Sequence, residues 1–257
     1  GDATFTVTMS TASSSTVTVD YATTASSSTA TASSDYTAAS GTLTFSPGDT
    51  SKTFTVAVLA DSVYETGNET VTITLSNSTN ATISDSTGIL TITDDDNAPT
   101  VTLTSSASSV AENGSDLTLT ATLSNATTAD VSVGISTSGT GTEGTDYATV
   151  SDITISAGAT TGTAAFNPTD DSVYEGDETG IIAIDTVSGG GATENSTPQA
   201  VTLTISENES APTVSLSSTA TSVYDNGSNI TFTATSTVAA DEDITVAISD
   251  HTGTATP

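Results

Sequence analysis

Cysteine, tryptophan and arginine are absent from this chain of 257 residues, and lysine occurs once. Because the sequence has no cysteine, disulfide scaffolds, thiolate chemistry and cysteine-ligated zinc or iron–sulfur sites are excluded. It also has no tryptophan, and Lys52 is its single Lys or Arg against 31 Asp and Glu, which gives a formal net charge of -30. Since nucleic acids and anionic membranes are bound through basic patches, we expect neither as a partner.

Long hydrophobic runs are missing as well. No apolar stretch reaches the roughly 18 residues that cross a bilayer, so we predict no membrane insertion of this segment. No charged-then-apolar signal peptide precedes the first strand pattern, and the chain starts with Gly1 rather than Met. We therefore expect the sequence to be an excerpt of a longer polypeptide or a processed product.

Short segments in which apolar residues alternate with Thr recur along the chain. This period of two is typical of antiparallel strands with one buried face and one face in water. Turn formers such as Ser46–Asp49 separate the segments, and no segment has a helical period. The sequence therefore predicts an all-β chain. In the first hundred residues the segments are Thr4–Met9, Thr16–Tyr21, Thr42–Phe45, Thr53–Leu59, Thr70–Leu75 and Gly88–Thr93.

The same motifs return at a spacing of roughly 110 residues. Asn97–Leu103 returns as Ser210–Leu216, and Asp61–Glu65 returns as Asp171–Glu175. Repeats of this length predict tandem β-sandwich modules of about seven strands. The expected modules are residues 1–96, which lack the first strand, residues 97–209, and residues 210–257, which form only the start of a third. An incomplete sandwich exposes its core and its unpaired edges, so we expect completion by a longer polypeptide or by a neighbouring chain.

Five motifs of the first repeat follow one another in a fixed order: Thr16–Thr23, Ser34–Thr37, Ser40–Gly48, Asp61–Glu69 and Thr91–Asp96. Together they resemble a Calx-beta domain. The second repeat follows the pattern with more drift, and the third matches through its first strands only. The family is found in the calcium sensor of the sodium/calcium exchanger, in an integrin β subunit and in large repetitive bacterial surface proteins. The resemblance implies immunoglobulin-like β-sandwiches of about seven antiparallel strands, many of which bind calcium at one end.

Acidic residues recur at the motif positions where the resemblance places calcium ligands. Calcium takes six to eight oxygens, several of them from carboxylates on flexible loops. The alternative for any single acid is a solvated surface carboxylate. In the first repeat the candidates are Asp35, Asp61, Glu65, Asp94, Asp95 and Asp96. In the second they are Glu112, Asp146, Asp170, Asp171, Glu175, Glu207 and Glu209, and the third retains Asp225 alone.

The two repeats depart from each other at this candidate site. The first has no counterpart of Glu112 and has Ala60 where the second has Asp170, and either loss can remove an ion. The second ends in Glu207–Glu209 with Asn in the middle, so we expect its site to be weaker or to hold fewer ions. Glu69 and Glu178 stand at the entry of strands, and we interpret them as flanking residues rather than ligands.

Three other features have simpler interpretations. Tyr64 and Tyr174 align between repeats and are expected to pack in the core or in a loop, with an aromatic ligand platform as the alternative. Ser188–Gly191 is followed by no Lys, so we interpret it as a flexible hairpin tip rather than a phosphate loop. His251 has no Ser or Asp partner at a catalytic spacing.

The sequence predicts a structural and adhesive protein rather than an enzyme, since no acid–base pair or activated nucleophile is recognisable. Asp94–Asp96 close one repeat and Pro99 opens the next, so calcium bound there would stiffen the joint. The expected context is a long extracellular or cell-surface protein or filament that contacts calcium ions and other copies of itself or a surface or matrix target. The alternative is a calcium-sensing module of a transporter or enzyme. In a variant of the first hypothesis, a neighbouring subunit supplies the missing strand of the first repeat.

Overall fold

The computed structural model describes residues 1–196, 199–222 and 229–249. Apart from one turn of 3₁₀ helix at Ala25–Ser27, all regular secondary structure in these residues is β-strand. The described part of the chain contains no helix long and apolar enough to cross a bilayer.

The first seven strands form the first domain. β1 and β4 pair antiparallel, and the other sheet has the antiparallel order β3-β2-β6-β7. β5 pairs outside the domain, as described below. The strands are β1 (Asp2–Thr8), β2 (Val17–Thr24), β3 (Ser40–Phe45), β4 (Ser51–Ala57), β5 (Val63–Tyr64), β6 (Glu69–Thr79) and β7 (Thr87–Ile92).

The next eleven strands form the second domain. Nine of them lie in two sheets with the orders β14-β10-β8-β17 and β13-β12-β16-β18-β9, and β11 and β15 pair outside the domain. β8 and β9 come first in this domain, and, like β11 and β17, they have no counterpart in the first domain. The strands are β8 (Thr100–Ser105), β9 (Ser109–Ala111), β10 (Leu117–Leu123), β11 (Ala126–Thr127), β12 (Val131–Gly139), β13 (Ile153–Ile155), β14 (Thr161–Phe166), β15 (Val173–Tyr174), β16 (Glu178–Ser188), β17 (Thr193–Glu194) and β18 (Ala200–Ser206).

Three further strands are described toward the C-terminus: β19 (Val214–Ser218), β20 (Phe232–Ser236) and β21 (Ala239–Ala240). β19 and β20 form a two-stranded antiparallel sheet in which every residue is exposed. With the two domains before them, these strands confirm the prediction of an all-β chain built from tandem β-sandwiches.

Each domain has its own hydrophobic core between its two sheets. In the first, Phe54 stacks between Phe5 and Tyr21, at ring-centroid distances of 5.4 and 4.0 Å. In the second, Tyr147 stacks on Phe166 at 4.8 Å. The Tyr of each repeated Asp-Tyr pair is buried in its core, so the Asp before it is held at a fixed place at one end of the sandwich.

Candidate metal centre at the domain joint

The loop that carries the repeated Asp-Tyr pair is tied down on both sides. Asp35 is 7 % exposed, and its carboxylate accepts a hydrogen bond from the backbone N–H of Thr31. Its carbonyl oxygen accepts the N–H of Leu59 at 2.9 Å. Asp146 repeats this arrangement, since its carboxylate accepts the N–H of Thr142 at 2.6 Å. The buried Tyr and these local bonds place one carboxylate of each domain beside the segment that follows the fourth strand.

That segment carries the next two acids. The Asp61 carboxylate accepts the N–H of Val63 at 2.8 Å, which closes a local turn. The Asp94 carboxylate in turn accepts the N–H of Glu65 at 3.1 Å, which joins the terminal acidic run to this loop. Three stretches distant in sequence therefore meet at one end of the first domain.

In the first domain these stretches surround a cavity of about 220 Å³, which is also lined by Ala60. All six predicted acids of the first repeat line it: Asp35, Asp61, Glu65, Asp94, Asp95 and Asp96. The structure also brings in Glu69, because carboxylate oxygens of Asp35, Glu65 and Glu69 lie within 4.8 Å of one another. Glu69 does begin a strand, as predicted, but its side chain belongs to the acidic group.

The second domain contains two groups of three carboxylates, each with oxygens within 4.8 Å of one another. One is Glu112, Glu207 and Glu209, and the other is Asp146, Glu175 and Glu178. Glu178 is therefore the second acid whose place was missed. A feature of the sequence pointed to this position. Glu69 and Glu178 begin the equivalent strand in the two repeats, and in each the residue two positions later is buried.

Two predicted acids of the second repeat lie outside these groups. The Asp170 carboxylate accepts the side-chain amide of Asn208 at 2.6 Å, and that of Asp171 accepts the N–H of Val173 at 2.6 Å. Asp171 nevertheless contributes to the negative potential felt by Glu112. Both acids border the groups, and Asp171 fixes the loop in the way Asp61 does.

Glu112 is the most constrained of these acids. It follows β9, its N–H donates to the carbonyl of Ser206 at 3.1 Å, and it is 5 % exposed. Its Oε2 is buried without a hydrogen-bond partner, and so are Oε2 of Glu209 and Oε2 of Glu69. Burial, reinforced by the charges of Glu207 and other nearby acids, raises the pKa of Glu112 to about 7.

Glu207 behaves in the opposite way. Burial disfavours its charge, but hydrogen bonds from the backbone N–H groups of Glu175, Glu209 and Gly176 outweigh that cost and lower its pKa to about 2. Its carboxylate therefore stays ionised and holds the loop and the chain exit together. Burial and their Asp neighbours raise the pKa of Glu69 and of Glu178.

These acids have no basic side chain to neutralise them. Within the residues that the structure describes, Lys52 is the only cationic side chain, and it pairs with Asp49 at 2.9 Å. Lys52 lies near the start of β4, at the opposite end of that strand from Asp61. Crowded carboxylates, buried unpaired oxygens and no cysteine or described histidine make a donor set that fits a hard divalent cation.

The loop between Asp61 and Glu65 also makes the contact between the domains. Its β5 residues Val63 and Tyr64 pair in parallel with β11 of the second domain, and the N–H of Thr128 donates to the carbonyl of Tyr64 at 3.4 Å. Thr128 also lines a cavity of about 360 Å³ with Asp35, Glu65 and Glu69. The next domain therefore borders the acidic group of the first.

Tyr64 packs on the glycine turn that follows β16. Gly189, Gly190 and Gly191 all have positive φ, and a Cβ at Gly191 would come within 2.5 Å of the Tyr64 ring. The glycine turn joins β16 to β17, which belong to different sheets, so it is not the hairpin tip predicted from the sequence. It also receives an aromatic ring from the preceding domain. Tyr64 is a loop-packing residue, as expected.

The next joint repeats the pairing. Val173 and Tyr174 of β15 pair in parallel with β21, and the N–H of Asp241 donates to the carbonyl of Tyr174 at 3.3 Å. Asp241 stands where Thr128 stands in the first joint, and its charge contributes to raising the pKa of Glu175 and of Glu178. Asp225 and His251 lie outside the described residues.

The model of the Calx-beta domain matches residues 1–96 and again residues 94–209. The chain belongs to the Calx-beta domain family. No curated protein sequence matches it.

Several solved structures are similar to this Calx-beta chain. The crystal structure of CBD12 from CALX1.2 is 21 % identical and covers 73 % of this chain and 74 % of its own, with a TM-score of 0.35. That of calcium binding domain CBD12 of CALX1.1 is 19 % identical over 76 % and 77 %, with a TM-score of 0.36. The apo-form Calx CBD1 domain is 21 % identical over 42 % of this chain and 98 % of its own, also with a TM-score of 0.36.

Proposed function

We propose that the acidic groups of both domains bind Ca²⁺ and that bound calcium stiffens the joints of a structural and adhesive repeat region. The burial of the Glu112 carboxylate beside two other acids is the observation that carries the proposal. A carboxylate that is 5 % exposed, with one oxygen unpaired and two further acids within 4.8 Å, is costly to bury without a cation. The Calx-beta family, whose domains bind calcium, supports this choice of ion.

The donor chemistry favours calcium over other metals. Calcium accepts six to eight oxygen ligands in a flexible arrangement, whereas magnesium requires a tight octahedron and keeps much of its water. Loops at one end of a sandwich supply many oxygens at variable distances. Glu65, Glu69 and Asp35 would hold the ion in the first domain, and the two groups of three would do so in the second. Bound calcium supplies positive charge that neutralises these carboxylates.

Coupling to the joint follows from one short loop. Asp61 and Glu65 face the acidic cavity, while Val63 and Tyr64 between them pair with the next domain. A cation that fixes the two acids also fixes the residues between them. Without it, like charges repel and favour a loosened loop. Calcium would therefore limit bending between domains.

A surface-exposed, extracellular repeat region suits these properties. Tandem sandwiches with the same joint twice in succession, a net charge of -30 and many Thr side chains on outer strand faces are suited to a soluble spacer. The role we propose is to hold a binding region away from a cell, as in large bacterial surface proteins.

Calorimetric titration of the metal-stripped chain with calcium, followed by small-angle scattering with and without calcium, tests the proposal. We expect saturable binding and a longer, stiffer particle. Absence of binding at millimolar calcium would contradict the proposal and would show that the acids are solvated surface groups. Binding without a change in stiffness would favour a sensing module over a spacer.

Tyr64→Ala separates binding from stiffness. It removes the ring that packs on Gly191 and leaves every carboxylate in place, so we expect unchanged calcium affinity and a more flexible particle in scattering. Tyr174→Ala is the matched control, because Tyr174 makes the equivalent strand pair at the next joint and is not among the atoms nearest to this glycine turn. An equal loss of stiffness in the two variants would show that the contact with the glycine turn does not contribute to the stiffness of the joint.

A further inference from the structure

The two joints are built in the same way but differ in one residue. Each contains a two-residue parallel strand pair, β5 with β11 in the first joint and β15 with β21 in the second. In each, the residue after the later strand donates its N–H to the carbonyl of a repeated Tyr. Thr128 donates to Tyr64 at 3.4 Å, and Asp241 donates to Tyr174 at 3.3 Å. The second joint therefore has a carboxylate where the first has a hydroxyl.

In the first joint this position faces the acidic group of the preceding domain. Thr128 lines the cavity of about 360 Å³ together with Asp35, Glu65 and Glu69. The Oε2 atom of Glu69 is buried without a hydrogen-bond partner. A side chain from the next domain therefore borders a group of carboxylates that has a buried oxygen available to a cation.

In the second joint Asp241 takes this position beside the acids of the second domain. Carboxylate oxygens of Asp146, Glu175 and Glu178 lie within 4.8 Å of one another. Burial raises the pKa of Glu175 and of Glu178, and so do the charges of Asp146 and, from across the joint, of Asp241. A fourth carboxylate therefore acts on this group, and it belongs to the next module.

The acids at this end of the second domain form one continuous centre. Glu175 donates its backbone N–H to Glu207, which belongs to the group of Glu112. Glu112 is 5 % exposed, and its Oε2 is buried without a hydrogen-bond partner. The centre that Asp241 borders thus contains a buried carboxylate oxygen that no protein donor satisfies, which is the condition that a bound cation relieves.

We propose that Asp241 is a ligand supplied by the next module, so that calcium held by Asp146, Glu175 and Glu178 bridges the second joint directly. This inference rests on the proposed binding of calcium by these acids. At the first joint Thr128 offers a neutral hydroxyl, and calcium acts there through the loop between the acids of the first domain. Carboxylates are the stronger calcium ligands, so the second joint gains more from the ion.

The same carboxylate has the opposite effect in the metal-free chain. Asp241, Glu175 and Glu178 then carry like charges on the two sides of the joint, and they repel one another. With calcium the repulsion is replaced by shared ligation. The residue at this position therefore determines how strongly calcium changes the stiffness of a joint, with a large change for Asp and a small one for Thr.

Calorimetric titration of the metal-stripped chain tests whether Asp241 is a ligand. Asp241→Asn preserves the shape and removes the charge, so we expect calcium affinity in the second domain to fall about tenfold while that of the first domain is unchanged. Glu242→Gln is the matched control, because it removes the same charge from the neighbouring exposed residue, and it should leave the affinity unchanged. If the unmodified chain binds no calcium, the proposed function fails. If it binds calcium and the two variants have equal affinities, the bridging role of Asp241 alone is overturned.

Distances between spin labels test the bridge itself. The chain has no cysteine, so labels can be placed at Thr104→Cys and Ser217→Cys across the second joint, and at Thr55→Cys and Thr104→Cys across the first. All three positions are exposed. We expect calcium to narrow the distance distribution more across the second joint than across the first. Asp241→Thr should reduce the narrowing to that of the first joint, and Thr128→Asp should increase it there.

The metal-free chain gives a readout that does not depend on bound calcium. In chelator, Asp241→Asn should narrow the distribution across the second joint because it removes repulsion, whereas in calcium it should broaden the distribution because it removes a ligand. A purely structural role of Asp241 would change both distributions in the same direction. A change of equal sign in the two conditions, or no change in either, overturns the proposal.

Discussion

The second domain has four strands that the first lacks, and two of them, β8 and β9, account for its closed sheet edge and its additional group of carboxylates. β8 closes the core, and β9 pairs with β18 and places Glu112 against the chain exit. With Glu112 present, the second domain gathers two groups of three carboxylates, whereas the first gathers one. One stretch of sequence therefore completes both the sheet and the acidic site.

The two domains also differ in the acidic run that follows their last strand. Glu207 replaces the Asp94 of the first domain, and its longer side chain accepts four backbone N–H groups, from Glu175, Gly176, Asn208 and Glu209. Asp94 accepts two. The expectation of a weaker second site stays a prediction. From the additional group of three carboxylates that contains Glu112 we predict the opposite order, in which the second domain binds calcium at least as tightly as the first.

The largest expected effect is that of calcium removal. If the free calcium concentration is about 100 times the dissociation constant of a domain, loss of one bound ion lowers the free energy of unfolding of that domain by about 2.7 kcal/mol. For domains of this size that corresponds to a fall of about 10 °C in melting temperature. Hydrogen exchange read by mass spectrometry, with and without chelator, resolves the two domains. We expect the larger loss of protection in the second, and a larger loss in the first would reverse the comparison.

Glu112→Gln should remove most of the advantage of the second domain. It preserves the shape but removes a charged ligand, so calcium affinity there should fall about tenfold or more, while that of the first domain is unchanged. Calorimetry measures both sites. Glu242→Gln is the control, because Glu242 is exposed and outside the acidic groups. An unchanged affinity in Glu112→Gln would remove Glu112 from the site.

Ala60→Asp should have a smaller effect of the opposite sign. Ala60 lines the acidic cavity at the position of Asp170, so the new carboxylate adds an oxygen donor to the first domain. We expect calcium binding there to tighten several-fold, on the order of 1 kcal/mol. Ala60→Asn controls for the added volume without the charge. A weaker site in Ala60→Asp would mean that the first domain is limited by repulsion rather than by ligand number.

Six of the seven strands of the first domain could be predicted because each of the six has a clear period of two. The Thr53–Leu59 prediction, for example, overlaps β4 at Ser51–Ala57. β5 was missed because two residues are too short for a period, and its partner lies in the next domain. Glu69 and Glu178 were assigned to strand entries correctly, but the direction in which their side chains point depends on sheet packing. The glycine turn likewise shows its role only once Tyr64 is placed against it.

The smallest effect we expect is a pH dependence that differs between the domains. In the metal-free chain, burial and neighbouring charge raise the pKa of Glu112 to about 7 from an ordinary value of 4.5. The folded state then binds this proton more tightly than the unfolded state. The stability it contributes is therefore present below pH 4.5 and is lost as pH rises through 7. Glu207, with its pKa lowered to about 2, loses its contribution only in stronger acid.

The metal-free second domain should thus melt a few degrees lower at pH 8 than at pH 5, and Glu112→Gln should reduce this difference. Calcium binds the ionised carboxylates, so the calcium affinity should fall as pH drops below 7. The stabilisation by calcium should therefore be greatest at the higher pH, where the metal-free domain is least stable. Thermal melting followed by circular dichroism at both pH values, with and without calcium, measures the slopes. A second domain that gains stability from pH 5 to pH 8 without calcium would show that Glu112 is paired in solution, and the comparison would then rest on ligand number alone.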